Sequence, residues 1–158
     1  MKSILSWRGH PWMALPARWY LGYVFIYACL HKIAHPASFA LDVATYEILP
    51  LSLINIMAII LPWVELAAGI LLIVGYKTRA AAALIGGMMV MFIIAVAIAL
   101  AKGLDMSCGC FASQAAQEAD PISMLTIWRD TAWLALSVYV FIFDDNPLGL
   151  DRIFDRTR

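Results

Sequence analysis

Between Ala80 and Ala101 no residue carries a charge, and the centre of that run, Met88-Met-Val-Met-Phe-Ile-Ile-Ala-Val-Ala-Ile-Ala-Leu100, is apolar throughout. A helix crosses about 30 Å of hydrocarbon with roughly 20 residues at 1.5 Å each, so the stretch is long enough to span a bilayer. Inside lipid the backbone must satisfy its own polar groups, which makes it a helix. The rest of the chain agrees. Of 158 residues, 63% are hydrophobic and only 14% charged, with a mean hydropathy of +0.82. Soluble domains average about 45–50% apolar and about 25% charged residues. The formal net charge is zero, so no global basic field draws in nucleic acid. The length fits one membrane domain, 1–158.

Three further stretches have spanning length: 18–35, 53–76 and 122–143, beside 80–101. The expected fold is therefore an all-α integral membrane protein, a four-transmembrane-helix bundle. Residues 36–52 mix Phe39, Leu41, Val43 and Tyr46 with Asp42, Thr45 and Glu47. That mixture predicts a short interfacial helix in the first outer loop, stopped by Pro50. No apolar core of a signal peptide precedes Arg18, so the first span is expected to stay as an uncleaved anchor. Lys2, Arg8, Arg18, Lys77, Arg79, Arg152, Arg156 and Arg158 gather on one side of these spans, against Lys32 and Lys102 on the other. The positive-inside rule then puts both termini in the cytoplasm and residues 102–121 in the periplasm of a bacterial inner membrane.

Chemistry concentrates in that periplasmic loop, at Cys108-Gly-Cys110. Thiols outside the cytoplasm form and keep disulfides. Cysteines two apart lie near the upper limit of the Cα separation for a disulfide, and the glycine between them frees the backbone to close the ring. So tight a ring is strained, and strained exposed disulfides are labile and oxidising. The competing readings are a passive loop disulfide, and a soft metal site completed by His31 or His35. Cys29, alone in the first span, reads as a small buried residue, or as a thiol exchanging with the loop pair.

Charges inside spans are costly and usually functional, which singles out Glu65, Arg129 and Asp130. Depth allows an inward-facing Glu65–Arg129 ion pair, either a structural clasp or a proton or quinone contact. Lys32 and His31 either snorkel to the outer interface or supply a cation beside the loop thiols. Trp63 and the other aromatics fit an interfacial belt or bundle packing, and Gly86-Gly87 with Ala80–Ala83 suit close helix contact.

In order along the chain come Arg18-Trp-Tyr-Leu-Gly22-Tyr-Val-Phe25, Lys32, Pro36, Phe39 and Tyr46-Glu-Ile-Leu-Pro50. Leu61-Pro62-Trp63-Val-Glu65-Leu-Ala-Ala-Gly69, Gly75 and Thr78-Arg79 follow, then Cys108-Gly-Cys110-Phe111 and Trp128-Arg129-Asp130. This set resembles the MauE/DoxX group of redox-associated membrane proteins, MauE more closely. The group's pattern often places glycine after the phenylalanine, where this chain has Ala112. The resemblance implies four membrane helices tied to periplasmic thiol chemistry. In the MauE branch it implies maturation of the disulfide-rich small subunit of methylamine dehydrogenase beside a thioredoxin-like partner. In the DoxX branch it implies quinone-coupled sulfur oxidation and oxidative-stress complexes.

The leading expectation is a thiol–disulfide redox protein. Cys108 and Cys110 would exchange disulfides with a periplasmic thioredoxin-like protein or a disulfide-containing client. The cofactor that reading admits is a quinone held near Glu65, Trp63 and Arg129. The arrangement is similar to that of DsbB and vitamin K epoxide reductase, by analogy alone. Two other readings stay open. One is a non-enzymatic anchor or assembly subunit of a larger respiratory or sulfur-metabolising membrane complex. The other is a small transporter or metal-handling protein.

Overall fold

A computed structural model of the protein describes residues 10–104, 122–144 and 149. Five helices follow one another: α1 His10–Ala34, α2 Pro36–Thr45, α3 Leu51–Val74, α4 Thr78–Ala101 and α5 Met124–Phe143. No strand occurs among the described residues, so the all-helical expectation holds. α3, α4 and α5 are each long and apolar enough to cross a membrane, whereas α1 passes only together with α2, as a pair bent by 104°. The described residues thus contain three spanning helices, or four when the bent pair counts as one span.

The bend has a local cause. A residue before proline is driven out of the helical region, and His35, at φ −130° and ψ 64°, is in that position. Pro36 then opens α2 with its ring pre-set for a first turn. α2 stops at Thr45, well short of Pro50, because Glu47 adopts a left-handed conformation at φ 52°. Pro50 marks the start of α3 rather than the end of α2. At its other end α1 is already helical at His10, ahead of Arg18, and carries Pro16 within it.

The helices pack through stripes spaced three and four residues apart, as a 3.6-residue repeat requires. On α1 the buried stripe runs Ala14, Arg18, Leu21, Phe25, Cys29 and Lys32. On α3 it runs Ile54, Ala58, Pro62, Glu65, Gly69 and Leu72. The two helices are antiparallel and meet at a pair of glycines. A Cβ on Gly22 would lie 2.9 Å from the Gly69 carbonyl oxygen and 2.6 Å from Ile73, and one on Gly69 would lie 3.0 Å from the Gly22 carbonyl oxygen. Only glycine permits so close a crossing of backbones.

A three-residue turn joins α3 to α4. Gly75 is left-handed at φ 76°, the N–H groups of Gly75 and Tyr76 both reach the Leu71 carbonyl, and Lys77 is left-handed too. α4 and α5 are clasped by the Ser137 hydroxyl, which donates to the Ala82 carbonyl at 2.7 Å. Gly86 faces that hydroxyl, but a Cβ on Gly87 would meet nothing within 4 Å. Of the Gly86-Gly87 pair, then, only Gly86 serves close helix contact.

Ile56, Ile60, Ile94, Leu125 and Phe141 project from the outer surface. At one end of the bundle Arg18 Nη1 donates to Asp144 Oδ2 at 3.2 Å, with both side chains fully buried. At the other end Tyr46 packs with Val96, Ala99 and Ile122, joined by Leu104. Lys102 Nζ donates there to the Glu47 carbonyl at 3.1 Å.

Candidate functional site

Lys32 and Glu65 close the two buried stripes of α1 and α3 onto each other. Lys32 Nζ donates to both carboxylate oxygens of Glu65, at 2.9 Å and 3.0 Å, and each residue is under a tenth exposed. The ammonium also lies 5.0 Å from the centroid of the Phe39 ring. That ring comes from α2, so the bend at Pro36 lays a cation–π cover over the pair. The sequence suggested Arg129 as the partner of Glu65. Lys32 takes that place. It sits one turn beyond Cys29 on the buried stripe of α1, and its stem points into the bundle instead of snorkelling outward. The signal was available: Lys32 keeps the three-and-four spacing set by Arg18, Leu21, Phe25 and Cys29.

Cys29 lies on the same face, fully buried, its thiol donating to the Ile26 carbonyl at 3.1 Å. A cavity of about 50 Å³ adjoins the ion pair and is lined by Phe25, Lys32, Glu65, Met89, Phe92 and Trp133, among others. Arg129 stacks on the far side of this wall, its guanidinium 5.0 Å from the Trp133 ring centroid. Its Nε donates to Asp130 Oδ1 at 3.3 Å. Asp130 is buried, and its Oδ2 has no hydrogen-bond partner among the described residues. Trp133 Nε1 in turn donates to the Tyr20 hydroxyl at 3.4 Å.

Of the residues proposed around a quinone, Glu65 therefore lines the cavity itself, and Arg129 approaches it through Trp133. Trp63 does not join them. It lies two residues from Glu65, on the opposite face of α3, and is 58% exposed on the outer surface. Cys108 and Cys110 lie outside the described residues. No group of three His, Cys, Asp or Glu side chains is placed for a metal among the described residues. His31 and His35 have ring centroids 5.0 Å apart.

Chemically, the Lys32–Glu65 pair is a neutral unit in a low-dielectric setting. A charge left alone at this depth is expensive, so the two residues depend on each other.

The family model described as methylamine utilisation protein MauE matches residues 10–143, which takes in all five helices. A methylamine utilization protein MauE of Paracoccus denitrificans is 29% identical over 131 residues, covering 82% of this chain and 69% of the relative. One from Methylophilus methylotrophus is 29% identical over 131 residues, covering 82% and 68%. A third, from Methylorubrum extorquens, is 32% identical over 113 residues, covering 71% and 59%. No solved structure matches the chain.

Proposed function

The chain belongs to the MauE family of multi-pass membrane proteins, and from that premise we propose that it serves methylamine utilisation as a thiol–disulfide redox protein. In this reading four spans cross a bacterial inner membrane with both termini in the cytoplasm. Cys108 and Cys110 exchange disulfides at the periplasmic face with a thioredoxin-like partner or a disulfide-containing client. Electrons pass to or from a membrane quinone, and Glu65 and Arg129 are candidates for handling the accompanying protons, whereas Trp63 faces the outer surface.

The observation that carries the reading is how the helix ends are sorted. Leu104 and Ile122, which bracket the stretch holding both cysteines, pack with Tyr46 at the α2 end of the bundle. Arg18 and the Lys77–Arg79 turn belong to the opposite end, where basic residues collect. The positive-inside rule therefore supports an outward thiol pair, in the compartment where disulfides persist.

Thiol trapping in membranes tests this directly. Cys108 and Cys110 are expected to shift between oxidised and reduced forms when quinone is depleted or a reductant is supplied. A pair that never changes state, in a protein whose double Cys→Ser variant keeps full function, defeats the redox reading. That outcome, with stable co-purification of a larger membrane complex, favours the anchoring role.

A further inference from the structure

A recess of about 450 Å³ opens on the outer surface between α2 and the turn after it, α3, and α4. Ligand sites in helical bundles are concave, mostly apolar and about 300–1,000 Å³ in size, with a few placed polar groups. This recess matches that description. Among the described residues no charged side chain lines it, Met57 and Met91 form parts of its wall, and Tyr46 supplies the one hydroxyl. Methionine is the side chain that adapts most readily to an irregular guest.

Gly87 makes the recess more than a packing defect. A glycine inside a helix is destabilising by about 0.5–1 kcal/mol relative to alanine. At Gly22 and Gly69 the protein needs that absence of a side chain, since a Cβ would strike the neighbouring backbone. At Gly87 it does not, because a Cβ there would meet nothing within 4 Å. Gly87 lines the recess, so the bare backbone leaves room for something outside the chain.

The guest is a neutral lipophile. A helix with its side chains is about 10–12 Å wide, so the recess holds little more than one turn of a partner helix. A phospholipid head group would find no counter-charge in the lining. We propose that the recess binds a membrane quinone, its ring against the backbone at Gly87, a carbonyl oxygen toward the Tyr46 hydroxyl, and its tail in the bilayer. The choice of quinone among neutral lipophiles rests on the redox reading above. There two thiols and one quinone give one disulfide and one quinol, with two electrons and two protons passing to the ring. Burial pushes the Tyr46 phenol above its ordinary range, followed by the carboxylates of Asp130 and Asp42. The hydroxyl therefore stays protonated. Tyr46 also packs with Leu104 and Ile122, which links the recess to both ends of the cysteine-bearing stretch.

The test is a titration of full-length protein in a neutral detergent with a decyl-tailed benzoquinone, read by equilibrium dialysis. It is run on wild type and on the double Cys108→Ser, Cys110→Ser variant, and both are expected to bind alike. Gly87→Leu sends a side chain into the recess from a position where a Cβ meets nothing within 4 Å, and should weaken binding at least tenfold with an unchanged melting temperature. Tyr46→Phe should weaken it about 2–10-fold, the worth of one hydrogen bond. Wild-type affinity in Gly87→Leu overturns the site, as does displacement of the quinone by an equal concentration of decane. Because binding is read without the thiols, its failure leaves the thiol-trapping result standing, and the converse holds as well.

Discussion

Among the described residues two ion pairs have both partners buried, and they are built differently. Arg18–Asp144 is sealed, with both side chains at 0% exposure and a contact of 3.2 Å between them. Lys32–Glu65 makes two shorter contacts, adjoins a cavity, and borrows a ring from a helix that turns through 104° to supply it. The first pair joins residues from near the two ends of the described chain. The second sits on the faces that carry Cys29 and the cavity wall. A pair that only fastens the fold has no need of a cavity beside it. The difference teaches that similar charge chemistry can serve closure at one end and a working interior at the other.

Removing one partner tests the common part of that comparison and gives the largest effect. Glu65→Ala and Asp144→Ala each take a carboxylate from a buried cation, and each is expected to lose about 3–5 kcal/mol in unfolding from detergent micelles. The contrast appears when both partners are replaced. Apolar double variants, Arg18→Met with Asp144→Leu and Lys32→Met with Glu65→Leu, should both come close to wild-type stability or exceed it. Only the second should stop redox cycling of Cys108 and Cys110 in thiol trapping. Equal cycling in the two double variants would erase the distinction.

The Gly22–Gly69 crossing positions the second pair, and it can be loosened separately. Gly22→Ala puts a methyl 2.9 Å from a backbone oxygen that cannot rotate away. Overpacking of this kind costs about 1–3 kcal/mol. The same change at Gly87 meets open space, so Gly87→Ala should hold or slightly raise the melting temperature.

Asp42, on α2, gives the smallest effect. Burial pushes its carboxyl above the usual range, and His31 and Lys32 pull partly against that. An acid whose folded value is raised favours the folded state while protonated. This contribution is present below the ordinary carboxyl value and is lost as pH rises through the raised one. Stability should therefore dip slightly on passing upward through the mildly acidic range, and Asp42→Asn should flatten the dip.

Much of the architecture was readable because lipid imposes it. The uncharged run of α4 could be little other than a spanning helix, and the all-helical fold followed from backbone satisfaction. The turn at Gly75 and the bend before Pro36 also left marks in the sequence. Glu47 left none: a left-handed glutamate looks like any other, so the early end of α2 was hidden. The partner of Glu65 was misread for a different reason. Depth along a helix points to Arg129, but the face of the helix decides contact, and Lys32 shares the face of Cys29. The apolar recess arises from three elements far apart in sequence, so no local pattern announced it. In the sequence Gly87 stands out only as half of a glycine pair.

The three-residue turn after α3 has a mechanical consequence. It pins α3 to α4 at one end, so the two helices behave as the arms of a pair of tweezers. Ile98, on the wall of the recess, lies twenty residues beyond Thr78, about 30 Å from the pivot at 1.5 Å per residue. On an arm of that length, a change of about one degree in the angle between the helices moves the wall by about 0.5 Å. The width of the recess is governed by an angle set at the far side of the membrane domain.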